Sequence, residues 1–222
     1  MTKRPAEAVP VIIVIDDDAS VREALRDLFE SVGFLTRTYL AVHAFLAAEP
    51  HDGPCCLVLD IRLPEQSGLE FLETIAKNRL PLSAVLISGH VDVQLAVRAM
   101  KAGALDVLAK PVREQDLLEA VNRAVRQATQ LRRETERLEA LRSRYALLTE
   151  RERQIMSLVT SGLLNKQIAE RVNITEATVK LHRGQVMRKM EAGSVPDLVR
   201  MSDLLEQRSN GHDDDTGLVG RL

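Results

Sequence analysis

The sequence predicts an α/β domain with a doubly wound, five-stranded parallel sheet, followed by a long linker helix and an all-α domain. Two patterns predict this fold class. In the first half of the chain, short apolar runs rich in Val, Ile and Leu alternate with segments of helical periodicity. Such alternation is typical of βα units around a parallel sheet. In the second half, apolar residues recur only at helical spacing.

Each predicted strand is a short, mostly apolar run. The first, VIIVI, consists of β-branched side chains, which suits a strand that is buried on both faces. The others are FLTRTYL, CCLVL, AVLI and ALDVL. The five strands are expected at residues 11–15, 34–40, 55–59, 84–87 and 104–108.

Each predicted helix of the first half lies between two strands and carries its apolar residues on one face. The segments are SVREALRDLFESVG, AVHAFLAAE, SGLEFLETIAKN and VDVQLAVRAMKAG. The first and the last end on Gly33 and Gly103, and glycine commonly follows the last residue of a helix. Helices of this kind cover both faces of the sheet, so ligands are expected at the carboxyl ends of the strands.

Composition points to an ordinary globular protein rather than a membrane or secreted one. Hydrophobic residues make up 45% of the chain and charged residues 28%. No apolar run approaches the roughly 18 residues of a membrane span, and MTKRPAEAVP lacks the apolar core of a secretory signal. Cys55 and Cys56 are adjacent and poorly placed for an unstrained disulfide. We therefore expect a reduced, cytoplasmic protein with buried, unpaired cysteines and no membrane partner.

The charges are distributed unevenly along the chain. Residues 11–128 carry 12 basic and 17 acidic side chains, whereas residues 145–205 carry 9 basic and 7 acidic ones. Four of those bases fall within residues 180–189, with no acid among them. This asymmetry favours two domains of different electrical character.

Polar side chains follow the predicted strands at their carboxyl ends. Asp16 and Asp17 follow the first strand, Asp60 the third, Ser88 the fourth and Lys110 the fifth. These residues should converge at one edge of the sheet. Carboxylates gathered there suit a hard divalent cation such as Mg²⁺. A hydroxyl and an ammonium beside them suit the oxygens of a phosphoryl group.

Four motifs in this half, VIDDDASVREAL, LVLDIRLPEQSGLEFL, AVLISGH and ALDVLAKPV, resemble the signatures of the flavodoxin-like receiver domain of two-component response regulators. The resemblance covers residues 10–127. It implies that Asp60 is the phosphoacceptor and Asp17 a direct Mg²⁺ ligand, with Asp16 assisting through water. It also implies that Arg62 offers its backbone carbonyl to the metal.

The same resemblance implies that Ser88 and Lys110 contact the phosphoryl oxygens, and that a cis peptide bond precedes Pro111. One position departs from the family. Receivers usually carry Phe or Tyr three residues before the lysine, and this chain has Val107 there. The switching step that uses the aromatic ring is therefore in question, which leaves open a DNA-binding regulator whose receiver no longer switches.

A second class of protein also fits the acidic run. The run Asp16-Asp17-Asp18 fits the DxD signature of haloacid-dehalogenase-like phosphatases. If this chain were such a phosphatase, Asp16 would be its nucleophile and Asp18 its general acid. That alternative leaves Asp60 unexplained, and the acids that follow Lys110 lie in a helical pattern rather than at a strand end. On the receiver interpretation, Asp18 is simply a loop residue and helix cap.

A single long helix is expected from Val112 to Leu148, because this stretch contains neither Gly nor an internal Pro. Apolar or small residues recur every seven positions, as in a coiled-coil seam: Leu117, Ala124, Leu131, Leu138 and Tyr145. The alternate seam positions are polar at Thr135 and Arg142. A solvated spacer and a dimerising helix both remain open.

The segment after this helix has the pattern of a helix-turn-helix. Thr149 and Glu152 form a capping box at the start of LTERERQIMSLV. The short helix NKQIAERV, a turn and the basic helix EATVKLHRGQVMRKM follow, with Thr175 as the cap of the basic helix. Val179 and the other apolar residues of the basic helix should pack inward.

These motifs resemble the LuxR-type DNA-binding domain of NarL/FixJ regulators over residues 145–205. Lys180, Arg183 and Arg188 are expected to point outward, and Lys189 to reach the DNA backbone. Gly184 either permits close approach to DNA or leaves its position unread. The DNA contacts implied by the resemblance are Thr178, Lys180, Leu181, Arg183, Gly184, Arg188 and Lys189.

The family's last helix fits residues 196–206, whose Leu198, Val199, Leu204 and Leu205 are candidates for pairing two DNA-binding domains. The predicted organisation has five parts: a disordered N-terminus (1–9), a receiver (10–127), a helical linker (128–147), a DNA-binding domain (148–206) and a disordered tail (207–222).

Together these motifs predict a transcriptional regulator rather than a metabolic enzyme. A sensor histidine kinase would phosphorylate Asp60 with Mg²⁺ as cofactor. The phosphorylated chain would dimerise, bind double-stranded DNA and act on RNA polymerase.

Overall fold

The computed structural model describes residues 9–49, 51, 53–77 and 82–209, and it includes the side chains of these residues except those of 207–209. The described elements are, in order, β1 (Val11–Ile15), α1 (Ala19–Ser31), β2 (Leu35–Tyr39), α2 (Val42–Leu46), β3 (Cys55–Asp60), α3 (Gly68–Lys77), β4 (Leu82–Ser88), α4 (Val93–Lys101), β5 (Ala104–Ala109), α5 (Glu114–Ala146), α6 (Glu150–Thr160), α7 (Asn165–Val172), α8 (Glu176–Met190) and α9 (Val195–Ser209).

The sheet is parallel throughout, with strand order β2-β1-β3-β4-β5. This confirms the predicted doubly wound, five-stranded fold. The chain runs outward from β1 to β2 and then returns to the other side of β1 with β3. Open sheets of this kind place their ligand crevice at the carboxyl ends of the strands where the order reverses. That point lies between β1 and β3.

Both faces of the sheet are covered, which explains the continuous apolar run of β1. Val11, Ile13 and Ile15 belong to one apolar cluster, and Ile12 and Val14 to another. The first cluster includes side chains of α2, α3 and α4, among them Phe45, Phe71, Ile75 and Ala99. The second includes side chains of α1 and α5, among them Phe29, Leu117, Val121 and Ala124.

Helix ends follow the predicted signals, with small differences in length. Gly33 and Gly103 follow α1 and α4 with φ of +88° and +94°, a left-handed backbone that glycine adopts without strain. The helix α2 is shorter than the predicted 41–49. Its buried anchors are Val42 and Phe45, and no residue from 47 to 49 is buried.

The two cysteines are free and buried, as expected. Burial raises the pKa of the Cys55 thiol to about 11, and burial raises that of Cys56 as well. Both thiols therefore stay protonated and unreactive at neutral pH, which suits small core side chains.

The described residues divide into two compact units between Arg133 and Glu134, within α5. In the second unit, α6 to α9 and the end of α5 enclose a separate core. Leu141 is buried in this core and Tyr145 packs against it, while Arg144 forms an ion pair with Glu191 at 2.6 Å.

These two cores account for most of the seven-residue repeat of α5. Leu117 and Ala124 are buried in the core of the sheet, and Tyr145 packs against the core of the second unit. Three of the five repeat positions therefore pack into or against a core within the chain itself, and not against a second chain. The repeat does not by itself indicate a coiled coil.

The predicted disordered ends lie largely outside the described residues, which exclude 1–8 and 210–222. The last helix, α9, starts one residue before its predicted start and continues to Ser209, three residues past its predicted end. Among the described helices, none is long and apolar enough to cross a bilayer.

Candidate phosphoryl site and DNA-binding surface

Three carboxylates meet at the carboxyl edge of the sheet, where the strand order reverses. One carboxylate oxygen each of Asp16, Asp17 and Asp60 lies within 4.8 Å of the others. Asp60 ends β3 and Asp16 directly follows β1, and both are buried, at 7% and 2% exposure. Asp17 is exposed. The convergence predicted from the strand ends is therefore present.

Lys110, which follows β5, bridges two of these carboxylates. Its Nζ donates to Asp16 Oδ2 at 2.7 Å and to Asp60 Oδ2 at 2.6 Å. The peptide bond between Lys110 and Pro111 is cis, as the sequence predicted. The Lys110 amide also donates to the Ser88 carbonyl at 2.8 Å, which joins the ends of β4 and β5.

Burial and these ion pairs shift two pKa values. Burial raises the pKa of the Asp16 carboxyl above its ordinary value, and the hydrogen bonds from Lys110 and from the Asp18 amide only partly offset it. Burial lowers the pKa of the Lys110 ammonium, but its hydrogen bonds to Asp16 and Asp60 outweigh that effect and leave the pKa raised. Lys110 is therefore a fixed positive charge across the physiological range.

The donor set suits a hard divalent cation. Three carboxylates opposed by one ammonium leave an excess of negative charge at the site. The Asp17 side chain has no hydrogen-bond or ion-pair partner among the described residues, so its oxygens are available as ligands. Oxygen ligands of this kind are those that Mg²⁺ prefers.

Two other predicted site residues lie near Asp60: Arg62 in the loop after β3, and Ser88 as the last residue of β4. The Arg62 amide donates to Asp60 Oδ1 at 2.8 Å, so the loop after β3 folds back over this carboxylate. The Ser88 hydroxyl donates to the His90 carbonyl at 2.9 Å and accepts from the His90 amide at 3.3 Å. The serine hydroxyl is thus held by the loop that follows β4.

Gly68 is a residue that our sequence analysis missed. A Cβ at this position would lie 2.2 Å from the backbone oxygen of Asp60 and 2.9 Å from Leu59 Cγ. Only glycine lets the first turn of α3 approach the backbone of β3 this closely. The available signal was the glycine itself in SGLEFL, eight residues after Asp60.

The helix-turn-helix has the predicted helices and caps. Thr149 and Glu152 form the reciprocal capping box of α6, and the Thr175 hydroxyl caps α8. Asn173, with φ of +53°, ends α7 and makes the turn. Val179, Val186 and Met190 are buried, as predicted.

The outer face of α8 carries only part of the predicted DNA-contact set. Lys180, Leu181, Gly184 and Arg188 are exposed, and Leu181 is 61% exposed although it is apolar. The Thr178 hydroxyl lies 2.9 Å from that of Thr175, at the start of the same helix.

The other two bases of α8 are engaged within the unit. Arg183 is half-buried rather than outward-pointing, and its Nη1 donates to Asn165 Oδ1 of α7 at 2.8 Å. Lys189 Nζ donates to Glu152 Oε2 at 2.6 Å and to the Leu147 carbonyl at 3.2 Å, instead of extending from the surface. Glu152 is 2% exposed, so Lys189 neutralises a buried carboxylate.

The last helix is also partly engaged. Leu198 is buried in the core of the second unit, so it is not available to pair two domains. Leu205 is half-buried and packs in part against that core. Val199 is half-buried and Leu204 is 53% exposed. The predicted pairing surface on α9 therefore loses Leu198 and keeps Val199, Leu204 and Leu205 as candidates.

Comparisons with known proteins agree with both domains. Residues 12–122 match the response regulator receiver domain, and residues 146–202 match the bacterial regulatory proteins of the luxR family. Nodulation protein W of Bradyrhizobium diazoefficiens is 42% identical over 206 residues, which cover 92% of this chain and 90% of that protein. Transcriptional regulatory protein FixJ of Rhizobium meliloti is 39% identical over 189 residues, which cover 85% and 93%.

Solved structures of two response regulators are also similar. The structure of StyR has a TM-score of 0.79 at 40% identity and covers 88% of this chain and 99% of that one. Full-length FixJ from B. japonicum has a TM-score of 0.52 at 38% identity and covers 89% and 97%. The phosphatase alternative finds no support, because the acids after Lys110 lie in α5 and both domain matches are those of a regulator. The chain therefore belongs to the NarL/FixJ family of response regulators, with a receiver domain and a LuxR-type DNA-binding domain.

Proposed function

We propose that this chain is a phosphorylation-dependent transcription factor, in which a sensor histidine kinase transfers a phosphoryl group to Asp60 and thereby controls DNA binding. One observation carries the proposal. The Asp16, Asp17 and Asp60 carboxylates and the Lys110 ammonium converge at the edge of the sheet, in a chain that also carries a helix-turn-helix.

Asp60 is the nucleophile of this reaction. One of its carboxylate oxygens forms a bond to phosphorus, the bond from phosphorus to the kinase histidine breaks, and the imidazole leaves with its electron pair. Asp16, Asp17, Asp60 and the Arg62 carbonyl are the groups that would hold Mg²⁺, which would neutralise charge on the phosphoryl oxygens. Lys110, which donates to Asp60 Oδ2 at 2.6 Å, is close enough to donate to a phosphoryl oxygen instead. Ser88 supplies a hydroxyl at the end of the neighbouring strand.

The chain uses this chemistry to regulate transcription rather than to turn over a metabolite. A protein that receives a phosphoryl group from a kinase and acts on chromosomal DNA works in the cytoplasm. The partners we propose are therefore the kinase, double-stranded DNA and RNA polymerase.

For DNA we propose the exposed face of α8, with Lys180, Leu181, Gly184 and Arg188 as the contacts. Lys180 and Arg188 carry the positive charge of this face. Leu181 offers an apolar surface suited to a thymine methyl group. We assign Arg183 and Lys189 to the support of α8, because both donate to residues of the same unit.

Dimerisation is the means by which phosphorylation acts in this proposal. With the repeat of α5 largely used by the two cores, α4 is the better candidate surface. Val93, Val97 and Met100 recur at helical spacing on α4 and are 80%, 46% and 53% exposed. An apolar stripe left open on one receiver is suited to pairing with a second copy.

The test is labelling by a small phosphodonor in the presence of Mg²⁺. Wild type should take up acid-stable, hydroxylamine-labile phosphoryl groups, and Asp60→Asn should take up none. Circular dichroism should show that the two proteins are equally folded. Sedimentation of the same samples should show a dimer only for labelled wild type. Labelling that survives in Asp60→Asn and maps to Asp16 would contradict the proposal. Labelling without any change in mass or DNA binding would indicate a receiver that no longer switches.

A further inference from the structure

The loop between β1 and α1 holds two of the three clustered carboxylates and is tied down by a single side chain. Arg22 lies in the first turns of α1. Its Nη1 donates to the Asp16 carbonyl at 2.7 Å and to the Asp17 carbonyl at 2.9 Å. No described backbone amide donates to either carbonyl. The guanidinium therefore satisfies backbone oxygens that neither the sheet nor the helix reaches.

The three carboxylates differ in how their side chains are held. Asp16 accepts from the Asp18 amide and from Lys110. Asp60 accepts from the Arg62 amide and from Lys110. The Asp17 carboxylate accepts from none of the described residues, so hydrogen bonds hold this residue only through its backbone.

Arg22 is the side chain that fixes this backbone. One guanidinium nitrogen carries two hydrogens in a fixed plane, so it can donate to two consecutive carbonyls at once. Holding both oxygens restrains the peptide units on either side of the Asp17 Cα. That restraint fixes the direction of the Asp17 Cα–Cβ bond, from which a carboxylate oxygen lies within 4.8 Å of those of Asp16 and Asp60.

We propose that Arg22 is a positioning residue for divalent-cation binding and acts through the backbone of Asp16 and Asp17. The inference rests on the proposed Mg²⁺ site at these acids. Partners in the outer shell of a metal site typically account for about 10- to 100-fold in metal affinity. We expect the lower end, about tenfold, because Arg22 holds backbone oxygens and not the ligating atoms.

The sign of the effect separates positioning from simple electrostatics. Arg22 is a cation close to a cation-binding site, so removal of its charge alone would strengthen Mg²⁺ binding. Loss of the restraint on Asp17 weakens binding. Arg26 lies one turn further along α1, and no hydrogen bond or ion pair of its side chain is among those described. It is therefore a matched control for the loss of one positive charge on this helix.

The experiment is calorimetric titration of the full chain with MgCl₂ alone, in the absence of phosphodonor, for wild type, Arg22→Ala, Arg22→Lys and Arg26→Ala. We expect Arg22→Ala to bind about tenfold more weakly than wild type, and Arg26→Ala to bind as tightly or slightly more tightly. Arg22→Lys should also bind more weakly than wild type, since a lysine keeps the charge but has a shorter reach to the two carbonyls.

Thermal unfolding of the metal-free variants shows whether the affinity change is local, and we expect Arg22→Ala and Arg26→Ala to melt within a few degrees of each other. Equal Mg²⁺ affinities of Arg22→Ala and Arg26→Ala would overturn the inference and leave the proposed function intact. A wild-type chain that takes up no Mg²⁺ would contradict the proposed function itself.

Discussion

Gly184 is the residue of α8 for which stability and function make opposite demands. Glycine inside a helix costs about 1 kcal/mol relative to alanine. A Cβ at this position would meet no atom within 4 Å, so packing does not require glycine there. Its presence on the exposed face of α8 is best explained by an approach of DNA to the helix backbone.

Gly184→Ala should therefore stabilise the chain and weaken its binding to DNA. We expect the free energy of unfolding to rise by about 1 kcal/mol, as measured by urea denaturation. Affinity for a duplex selected from a random pool should fall by roughly tenfold, or about 1.4 kcal/mol. A variant that is more stable and binds the duplex as well as wild type would show that DNA does not approach the helix backbone at this position.

Sequence reasoning could place the carboxylates and Lys110 at one edge of the sheet because these residues follow a rule of topology. Once the alternation of strands and helices was recognised, the ends of parallel strands had to meet, and Asp16, Asp60 and Lys110 lay at those ends. The same reasoning could not place Lys189. Its partner Glu152 lies 37 residues earlier in the chain, and helical periodicity says nothing about which distant residue a side chain meets.

The Lys189–Glu152 ion pair joins the end of the recognition helix α8 to the start of α6. Glu152 Oε2 also accepts from the Thr149 amide at 2.7 Å, so one buried oxygen serves both the capping box and the ion pair. Burial raises the pKa of the Glu152 carboxyl, but the hydrogen bond from Lys189 and those at Thr149 outweigh burial and leave it lowered.

Lys189→Met should lower the free energy of unfolding by about 3 kcal/mol, the lower end for breaking a buried ion pair, since Lys189 keeps part of its surface exposed. The matched control is Lys180→Met on the exposed face of the same helix. It should leave stability within about 0.5 kcal/mol of wild type and weaken DNA binding. Urea denaturation and duplex titration of both variants test this division. Equal stabilities of the two variants would contradict it.

The stability gap between wild type and Lys189→Met should also depend on pH. Because the folded-state pKa of Glu152 is lowered, its contribution is present above its ordinary value of 4.5 and is lost as the pH falls through the folded-state value. The gap measured at pH 7 should therefore narrow in acid. A gap that stays constant between pH 7 and pH 3 would mean that Lys189 stabilises α8 by packing alone.

The long helix shows where sequence reasoning reached its limit. A repeat of seven residues indicates that one stripe of α5 is buried, but it does not say against what. The structure assigns Leu117 and Ala124 to the core of the sheet and Tyr145 to the core of the second unit. A coiled coil produces this pattern, and so does a helix that packs against two separate domain cores, because each arrangement buries one face of the helix.

The proposed phosphoryl site and the proposed DNA-binding surface belong to separate compact units, whose boundary lies within α5. Asp60 lies in the unit before residue 134 and the recognition helix α8 in the unit after it. No residue of the phosphoryl site is a residue of the DNA-binding surface. In our proposal, phosphorylation therefore acts by changing the population of a paired, DNA-binding state.

Phosphorylation control of DNA binding is tested most directly by the affinity of the full chain for a selected duplex, measured with and without a small phosphodonor and Mg²⁺. We predict that phosphodonor raises the affinity of wild type by about a hundredfold, the lower end of what the pairing of two binding modules provides. Asp60→Asn should show no change under the same conditions. An equal affinity of wild type in both states, with Asp60 stoichiometrically phosphorylated, would contradict phosphorylation control of DNA binding.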